Sequence, residues 1–383
     1  MEVLQKVNIL CILPVIGDTK DAKRIELLQK AGFNIKVIAF ERDYFVSRLP
    51  NCEIVKLPKI EQGKYWKRFL IMLKSLIRLR RHVKKCDVVY AFSPDLAIFA
   101  YIASLQLKKP LVMDVADIRE IQVSSSLSGK LLRVIERFIA NRTDLLVVSS
   151  LAFVTDYYLG KLKAKVKYYL LLENKVDYIL NVDTYNTTNK QNDIITIGYF
   201  GYLRDNWTIK LLAELTQQLN NKCKVKLAGV DMITEANINE LSIQNKNFNY
   251  SGPYKSPDDL NKLYSDIDVI VIFYPEPTDD FDWYNAKRIC RSNRFYEACF
   301  FKKPIIAFSF TEDGKEVIKN NIGFTLDSYD VNLNIDIIKT SLTQENLTVW
   351  KENMMSLERS VYCLSDEATQ LKNIISKIIE SNK

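Results

Sequence analysis

The chain has 383 residues, of which 48% are hydrophobic and 26% are charged. This composition is typical of a soluble globular protein, and the length predicts two domains. No apolar run approaches the roughly 18 residues that a membrane span needs, so a membrane-spanning protein is excluded. The net charge of +8 is concentrated between Glu61 and Asp87, where nine Lys or Arg residues occur without an acid.

The cysteines and the single histidine indicate neither disulfides nor zinc. The seven cysteines have no C-x-x-C spacing and occur mostly in apolar segments, which predicts reduced thiols in a cytoplasmic protein. His82 has no paired cysteines with which to build a zinc site. The opening apolar run, Val7–Ile16, lacks a small-residue cleavage site, so we interpret it as a buried strand rather than a signal peptide.

Strands and helices alternate through the first half of the chain. The pattern predicts strands at 7–13, 34–40, 52–57, 87–92, 110–116 and 144–150, and helices at 21–31, 65–85, 95–107 and 129–141. A last helix and strand are predicted after 150, ending near Asn174. This alternation predicts a doubly wound parallel sheet. Gly17 follows the first strand, where backbone could approach a ligand, although an ordinary turn glycine explains it equally well.

A polar stretch at 181–193 indicates a linker between two domains. The N-terminal domain is then 1–180 and the C-terminal domain 194–363, with a last helix at 364–383. Strands recur in the second half at 194–200, 224–228, 248–251, 269–274 and 305–308. The chain therefore predicts an α/β protein with two Rossmann-like domains of similar design.

The segment from 268 to 308 predicts a strand, a long loop, a short helix and a strand. Four cations gather where Ser292 or Asn293 would cap the helix, namely Lys287, Arg288, Arg291 and Arg294. Cations are disfavoured at the positive end of a helix, so we expect an anion such as a diphosphate there. The alternative is a solvated basic loop with three counter-ions, Asp279, Asp280 and Asp282.

Two further positions extend this predicted anion site. Glu297 lies one turn into the helix and is suited to accept hydrogen bonds from ribose hydroxyls. Gly201 lies at the end of the first strand of the second half, where a glycine permits close backbone approach to phosphate. Arg204 follows three residues later and could supply positive charge.

The segment Ser292-Asn-Arg-Phe-Tyr-Glu-Ala-Cys-Phe-Phe-Lys-Lys-Pro304-Ile-Ile-Ala resembles a known signature, P-N-K-L-x-E-x-L-A-x-G-K-P-V-V-A. It is that of the group 1, or family four, retaining glycosyltransferases, which have the GT-B fold and build bacterial polysaccharides. The resemblance implies two Rossmann-like domains facing across a cleft. It also implies that Glu297 holds the donor ribose and that Asn293 and Arg294 lie at the nucleotide diphosphate.

The chain departs from the family pattern at several positions. Ser292 replaces the usual Pro, Lys302 replaces Gly, and Ile289 falls where a first Glu is common. Tyr202 and Trp207 occupy the positions of an Arg and a Lys that bind the diphosphate in the family. Arg204, or the cations at 287–294, would have to take over that charge.

Two segments of the first half also resemble the family. Asp87-Val-Val-Tyr-Ala-Phe-Ser-Pro-Asp95 is similar to D-V-V-H-A-H-D, and Leu111-Val-Met-Asp-Val-Ala-Asp-Ile-Arg-Glu120 to V-x-D-x-H-D-L-R-E. The predicted acceptor side comprises Gly17, Asp117, Arg119 and Glu120.

Ala116 replaces the frequent family His, so the leaving diphosphate itself would take the acceptor proton, as in front-face retaining transfer. Asp117 would orient the acceptor or accept its proton, or it would only cap a helix. Catalysis would rest on positioning and on stabilising the leaving group, with Asp117 and Glu297 as its predicted residues.

Neither a metal nor a cofactor is expected beyond the donor substrate. Asp266-Ile-Asp268 opens a strand away from the ligand edge, and Asp280-Phe-Asp282 is better explained as counter-charge to the basic cluster than as a metal-binding D-x-D. The basic helix at 64–85 has the composition of an interfacial helix on anionic lipid, or of an ordinary amphipathic helix with a basic solvent face. No motif supports binding of nucleic acid.

We therefore predict a cytoplasmic glycosyltransferase, peripheral on the inner face of the plasma membrane. It would move a sugar, with retention, from a UDP- or GDP-sugar to a saccharide or lipid-linked saccharide in surface polysaccharide synthesis. Two alternatives stay open: a nucleotide-sugar 2-epimerase of the same fold, and a non-catalytic GT-B subunit that binds a partner.

Overall fold

The computed structural model describes residues 6–41, 49–59, 65–177, 194–233, 235–275 and 288–382. The chain divides into two compact units. Unit 1 comprises the chain up to Glu173 together with the segment from Ser365 onward, and unit 2 is Asn174–Leu364.

Unit 1 alternates strands and helices. Its strands are β1 (Asn8–Leu13), β2 (Asn34–Phe40), β3 (Glu53–Leu57), β4 (Val88–Phe92), β5 (Leu111–Val115), β6 (Leu145–Val148) and β7 (Tyr169–Leu171). Its helices up to this point are α1 (Thr19–Lys30), α2 (Tyr65–Val83), α3 (Pro94–Ser104), α4 (Glu120–Val123), α5 (Leu127–Ala140) and a π-helix (Phe153–Lys161).

The strands of unit 1 form one parallel sheet in the order β3-β2-β1-β4-β5-β6-β7. The strand order reverses between β1 and β4, which defines the switch point of a doubly wound sheet. Every residue of β4, β5 and β6 is buried. Helices cover both faces of a parallel sheet, so its strands are apolar runs rather than alternating patterns.

Unit 2 repeats this design with six strands. They are β8 (Ile195–Leu203), β9 (Cys223–Asp231), β10 (Phe248–Tyr250), β11 (Val269–Ile272), β12 (Ile305–Phe308) and β13 (Gly323–Leu326). The helices are α6 (Asn206–Leu219), α7 (Ile238–Gln244), α8 (Leu260–Ser265), α9 (Asn293–Phe300), α10 (Glu312–Asn320), α11 (Val331–Ser341) and α12 (Gln344–Ser356), with 3-10 turns at Asn220–Lys222 and Arg359–Val361.

The second sheet is also parallel, in the order β10-β9-β8-β11-β12-β13. It carries a separate hydrophobic core on each face. Val269 and Val271 of β11 belong to one core, whereas Ile270 and Ile272 belong to the other. Successive side chains of a strand point to opposite faces, and here both faces are apolar.

The last helix, α13 (Glu367–Glu380), returns to unit 1 and packs against α1. Its buried residues include Leu371, Ile375 and Ile378, which share one helical face. Residues 174–177, which the linker position assigned to the N-terminal domain, lie in unit 2, because Val176 forms a β-bridge with Cys363.

The predicted α/β alternation is confirmed in both units, and three details differ. The helix predicted after β6 is a π-helix. β8 continues past its predicted end to Leu203, because β9 pairs with it along its whole length. β13 and the two helices α10 and α11 had no sequence prediction.

Candidate functional site

The amino-terminal end of α9 begins with the predicted cap. Ser292 has extended backbone, and its Oγ accepts hydrogen bonds from the backbone N–H of Arg294 at 3.2 Å and from Arg294 Nε at 3.3 Å. Of the two residues that the sequence proposed as the cap, Ser292 therefore caps the helix, while Asn293 is its exposed first residue. Because this helix follows β11 in a parallel sheet, its first N–H groups lie at the carboxyl edge of that sheet.

Arg294 turns back from this helix end onto β8. Its guanidinium lies 5.3 Å from the centre of the buried Tyr199 ring. Burial opposes the positive charge, but neighbouring phenols and Asp313 raise the pKa of Arg294 overall. Among the described residues, buried Nη1 of Arg294 has no hydrogen-bond partner. A buried donor without a partner is costly, which makes this atom a candidate contact for a bound anion.

Asp313, in the first turn of α10, contacts the same end of α9. Its carboxylate is fully buried and accepts hydrogen bonds from the Ser292 N–H at 3.2 Å and from the Tyr274 hydroxyl at 3.0 Å. Burial raises the pKa of Asp313 to about 6, against the opposing effects of Arg291, the Ser292 N–H and Tyr274. Sequence reasoning missed this residue, because an acid in the first turn of a helix is ordinary.

Glu297 lies one turn into α9 and is half-buried. Its carboxylate accepts a hydrogen bond from the Tyr264 hydroxyl at 3.0 Å, and the Tyr264 ring stacks on Phe301 with centroids 4.5 Å apart. The acid is therefore oriented by a rigid aromatic pair of the core. The ribose contact of Glu297 stays a prediction.

Arg291 and Arg288 differ from Arg294 in their burial and their contacts. Arg291 is largely buried, lies 5.0 Å from the centre of the Phe295 ring and forms an ion pair of 3.7 Å with Glu316 of α10. Arg288 is exposed. The remaining members of the predicted cluster lie outside the described residues, namely Lys287, Asp279, Asp280 and Asp282. Within the described ranges, the charges that balance this helix end come from α10.

Gly201 and Arg204 lie at the end of β8, on the strand that carries Tyr199. Gly201 has φ +117°, and a side chain there would meet no atom within 4 Å. Arg204 is exposed. Burial raises the pKa of Tyr199, and the positive charges of Arg294 and Arg204 oppose that rise.

Tyr202 and Trp207, which stand where the family has cations, lie in different surroundings. The Tyr202 side chain is half exposed. Trp207 is buried, donates from Nε1 to the Tyr329 carbonyl at 2.6 Å and packs edge-on against Phe273. Trp207 is a core residue and leaves no cation at that position.

In unit 1, the predicted acceptor residues follow strand ends at the carboxyl edge. Gly17, with φ +99°, follows β1, while Asp117 and Arg119 follow β5 and are exposed. Arg119 forms an ion pair of 2.7 Å with Asp95, at the start of α3. Glu120 is the first residue of α4. The sheet therefore brings the ends of β1, β4 and β5 to one edge, on both sides of its switch point.

Ser93, which sequence reasoning passed over, lies at the same edge. It follows β4 with φ 125°, in a backbone region that favours glycine. Its hydroxyl donates to Asp95 at 2.6 Å, the carboxylate that also holds Arg119. Non-glycine residues in this region are strained and cluster at functional sites.

The chain is similar in sequence to a glycosyl transferase domain model and to a protein of polysaccharide biosynthesis. Residues 24–159 match the glycosyl transferase 4-like domain. Over 336 residues the chain is 25% identical to succinoglycan biosynthesis protein ExoL of Rhizobium meliloti (strain 1021), with 85% of this chain and 82% of that protein covered.

Solved structures with the same fold include three relatives of low sequence identity. Sucrose-phosphate synthase from Thermosynechococcus elongatus has a TM-score of 0.69 at 13% identity, covering 98% of this chain and 100% of that chain. Anabaena Alr3699/HepE, in complex with UDP and glucose, has a TM-score of 0.65 at 14% identity, with the same coverage. WaaG, a glycosyltransferase involved in lipopolysaccharide biosynthesis, has a TM-score of 0.64 at 14% identity, covering 97% and 100%. The predicted GT-B fold and the resemblance to the group 1 glycosyltransferases are confirmed.

Within this glycosyltransferase fold, the first D-x-D pair is structural. Asp268 accepts a hydrogen bond from the Thr196 N–H at 2.8 Å, and Asp266 forms an ion pair of 2.8 Å with Lys226. The second pair, Asp280 and Asp282, lies outside the described residues. In the part of the chain that the structure describes, no cluster of three His, Cys, Asp or Glu residues could hold a metal ion.

Two other sequence predictions concern the environment of the chain. All seven cysteines are free thiols, and only Cys52 is not buried. Among the described helices, none combines the length and apolar character needed to cross a bilayer.

Proposed function

We propose that this chain transfers a sugar from a nucleotide-diphosphate sugar to a saccharide or lipid-linked saccharide, with retention, in bacterial surface polysaccharide synthesis. The observation that carries the proposal is the amino-terminal end of α9, where Arg294 presents a buried nitrogen without a partner among the described residues. Helix-end N–H groups and a guanidinium are the donors that a diphosphate accepts.

The donor would lie along the carboxyl edge of unit 2. Arg294 and Arg204 would bind the diphosphate, with Gly201 allowing its close approach to the backbone. Glu297, already oriented by Tyr264, would accept hydrogen bonds from the ribose hydroxyls. The Anabaena relative solved with UDP-glucose supports a uridine nucleotide as the first candidate, and the name of ExoL supports a role in polysaccharide synthesis.

The reaction would proceed by front-face transfer. The bond between the sugar anomeric carbon and the diphosphate oxygen breaks, the acceptor oxygen bonds to that carbon on the same face, and the acceptor proton passes to the leaving diphosphate. Asp117 would orient the acceptor hydroxyl, and Arg119, held by Asp95, would support its approach. The cations of unit 2 would stabilise the leaving charge.

The peripheral membrane location is part of the proposal. Helix α2 exposes Leu70, Leu73 and Ile77 on one side, beside the exposed cations Lys74 and Arg78. Such a face fits anionic lipid. It would bring the chain to a lipid-linked acceptor at the inner face of the plasma membrane.

A donor screen followed by a turnover assay tests the proposal. The ligand that raises the melting temperature among UDP-, GDP-, ADP-, CMP- and dTDP-sugars identifies the donor, since a ligand bound only to the folded state stabilises it. Slow nucleotide release without acceptor, and a product with the donor's anomeric configuration by NMR, are the expected results. Stabilisation by none of these donors would contradict the proposal.

The same assay separates the alternatives. An isomerised sugar without acceptor would identify a 2-epimerase. Binding of a saccharide acceptor without nucleotide release would identify a non-catalytic subunit, the candidate that the core position of Trp207 favours. We expect turnover to survive chelation, because no metal is proposed; its loss and recovery with Mg²⁺ or Mn²⁺ would overturn that part of the mechanism.

A further inference from the structure

A groove of unit 2 lies between helices α6 and α7, away from the candidate donor site. Its volume is about 550 Å³, which is in the range of natural ligand pockets. The last turns of α6, the end of α7 and the first residue of β10 line it. In a parallel α/β sheet the helices end where the following strands begin, so the groove lies at the amino edge of the sheet, whereas α9 begins at the carboxyl edge.

Side-chain amides dominate the lining of this groove, which we call the amide groove. Five of its ten lining residues are carboxamides, namely Gln217, Asn220, Gln244, Asn245 and Asn247. Of the described residues that line it, Lys246 is the only charged one. The apolar part of the lining includes Ala213 and Phe248, which are buried.

The protein itself holds two of these amides in place. Asn245 Nδ2 donates to Thr216 Oγ1 at 2.8 Å, and Asn245 Oδ1 accepts a hydrogen bond from the Asn247 N–H at 3.0 Å. Asn247 Nδ2 donates to the carbonyl of Asn220, which ends α6 with φ 45°. These bonds tie the end of α6 to the loop after α7. A ligand would therefore meet a largely preformed site, which lowers the entropic cost of binding.

The other amides stand ready on facing sides of the groove. Gln217 belongs to α6 and Gln244 to α7, and both side chains are exposed. Asn220 is exposed at the end of α6. A ligand that lies between the two helices could therefore receive hydrogen bonds from both walls.

The chemistry of the lining favours a neutral ligand rich in hydroxyls. A carboxamide both donates and accepts hydrogen bonds, as a hydroxyl does. A cationic ligand would meet no acid among the described lining residues, and the single exposed Lys246 contributes little to binding of an anion. The one aromatic residue of the described lining, Phe248, is 1% exposed, so a nucleobase would have no ring on which to stack.

We propose that the amide groove binds a neutral saccharide, at a site separate from the candidate donor site. The choice of a saccharide among hydroxyl-rich ligands rests on the proposed function. A saccharide chain held in the groove would stay on the enzyme between transfers, which raises its effective concentration for the next one.

Saturation-transfer NMR of the full chain without nucleotide tests this inference. The probes are cellohexaose, laminarihexaose and mannohexaose, with hexaglycine as a probe that has amides but no ring hydroxyls. The groove variant is Gln217→Ala with Gln244→Ala. The matched control is Asn239→Ala with Asn373→Ala, two exposed helical amides outside the groove.

We expect at least one of the three saccharides to bind with a Kd of about 1 mM or tighter. The groove variant should bind it about tenfold more weakly, since two hydrogen-bonding side chains are lost, and the control should not differ from wild type. Melting curves confirm that each variant is folded.

A nitroxide spin label locates the bound saccharide. Cys52 is first replaced by serine, because the other cysteines are buried. A label on Ile243→Cys of α7, an 82% exposed position, should broaden the saccharide signals more than a label on Ile318→Cys of α10. The two helices cover opposite faces of the sheet, since Ile238 of α7 and Val317 of α10 belong to different cores.

Three results would overturn the inference. They are no binding of any of the three saccharides at about 10 mM, equal affinity of the groove variant and wild type, and equal broadening from the two labels. Hexaglycine bound as tightly as the saccharides would instead assign the groove to a peptide.

The proposed transfer fails or succeeds independently of this result. Arg294→Ala should keep its saccharide affinity, because Arg294 lies at the opposite edge of the sheet. Donor binding and nucleotide release of the groove variant should equal those of wild type.

Discussion

At the scale of single residues, the candidate donor site depends on a buried acid, Asp313, that the motif does not contain. Arg294 belongs to the motif, but Asp313 lies on the next helix and bonds to the Ser292 N–H. The acid orients the helix end, and Arg294 keeps one nitrogen without a partner among the described residues. The acid that holds the helix end and the candidate anion-binding cation thus lie on two neighbouring helices.

Substitution of Arg294 should weaken nucleotide binding more than loss of an exposed cation of the site. We expect Arg294→Ala to lower affinity for the donor nucleotide about 10- to 100-fold, because a hydrogen bond to a charged group contributes about 1.5–3 kcal/mol. Arg204→Ala should have a smaller effect, since Arg204 is exposed. Isothermal titration calorimetry measures both.

The conservative variant Arg294→Lys separates charge from geometry, because lysine keeps the charge and loses the planar fork. Lys262→Ala, an exposed cation on α8, is the matched control. Equal affinities for wild type and a folded Arg294→Ala would remove Arg294 from the site.

Asp313 should make stability depend on pH. Its pKa is raised to about 6 in the folded chain, above the value of about 4 expected when unfolded. The protonated acid therefore favours folding at low pH, and this contribution is lost as pH rises through about 6. Between pH 5 and pH 7.5, wild type should lose about 1 kcal/mol more stability than Asp313→Asn.

Urea unfolding of both proteins at the two pH values measures this difference. Subtracting the variant from wild type removes the contributions of other titrating groups. A constant difference across the two pH values would show that Asp313 does not titrate in this range.

At the scale of elements, α5 shows that an amphipathic pattern does not reveal which face is covered. The helix was predicted from its apolar spacing, which normally indicates a core-facing stripe. Here Glu136 is buried and accepts hydrogen bonds from the Tyr157 and Tyr158 hydroxyls of the π-helix and from the Gln122 amide. These contacts keep the apolar side of α5, which includes Leu131, exposed. The element was predictable and its orientation was not.

Removal of the Glu136 carboxylate should destabilise unit 1. Glu136→Ala leaves the two tyrosine hydroxyls and the Gln122 amide without their acceptor, at a total cost of about 3 kcal/mol or more. For a unit of this size we expect a fall in melting temperature of about 6–12 °C. Differential scanning calorimetry measures the shift.

Glu136→Gln keeps an acceptor for the tyrosines and should lose less than Glu136→Ala. Glu240→Ala, at an exposed position of α7 in unit 2, controls for the loss of an acid. Equal melting temperatures for Glu136→Ala and this control would contradict the importance of the cluster.

At the scale of the whole molecule, unit 1 consists of two separate segments of the chain, and unit 2 lies between them in sequence. The second segment buries Ile375 of α13 completely in unit 1. The final helix therefore belongs to the stability of the first unit, although it follows the second in sequence.

A core truncation in α13 should destabilise unit 1 selectively. We expect Ile375→Ala to cost about 2–5 kcal/mol, as large-to-small core substitutions do. Hydrogen exchange should accelerate in β1 to β7, while β8 to β13 remain protected. The exposed Lys372→Ala is the control, and acceleration in unit 2 instead would contradict this assignment.

The sequence alone determined the two parallel sheets, a helix cap at either Ser292 or Asn293, and the place of Glu297 one turn into α9. These features depend on patterns a few residues long: continuous apolar runs, a hydroxyl before a helix, and helical spacing. They could be predicted because the interactions responsible are local.

Only the tertiary structure decided the rest. Asp313 accepts a hydrogen bond from Ser292, which lies 21 residues earlier in the chain. Trp207 packs in the core beside Phe273. The acid of α5 is buried, whereas the apolar side of that helix is exposed. Each outcome depends on contacts between residues far apart in sequence, and burial and partner choice in such contacts are set by packing rather than by local pattern.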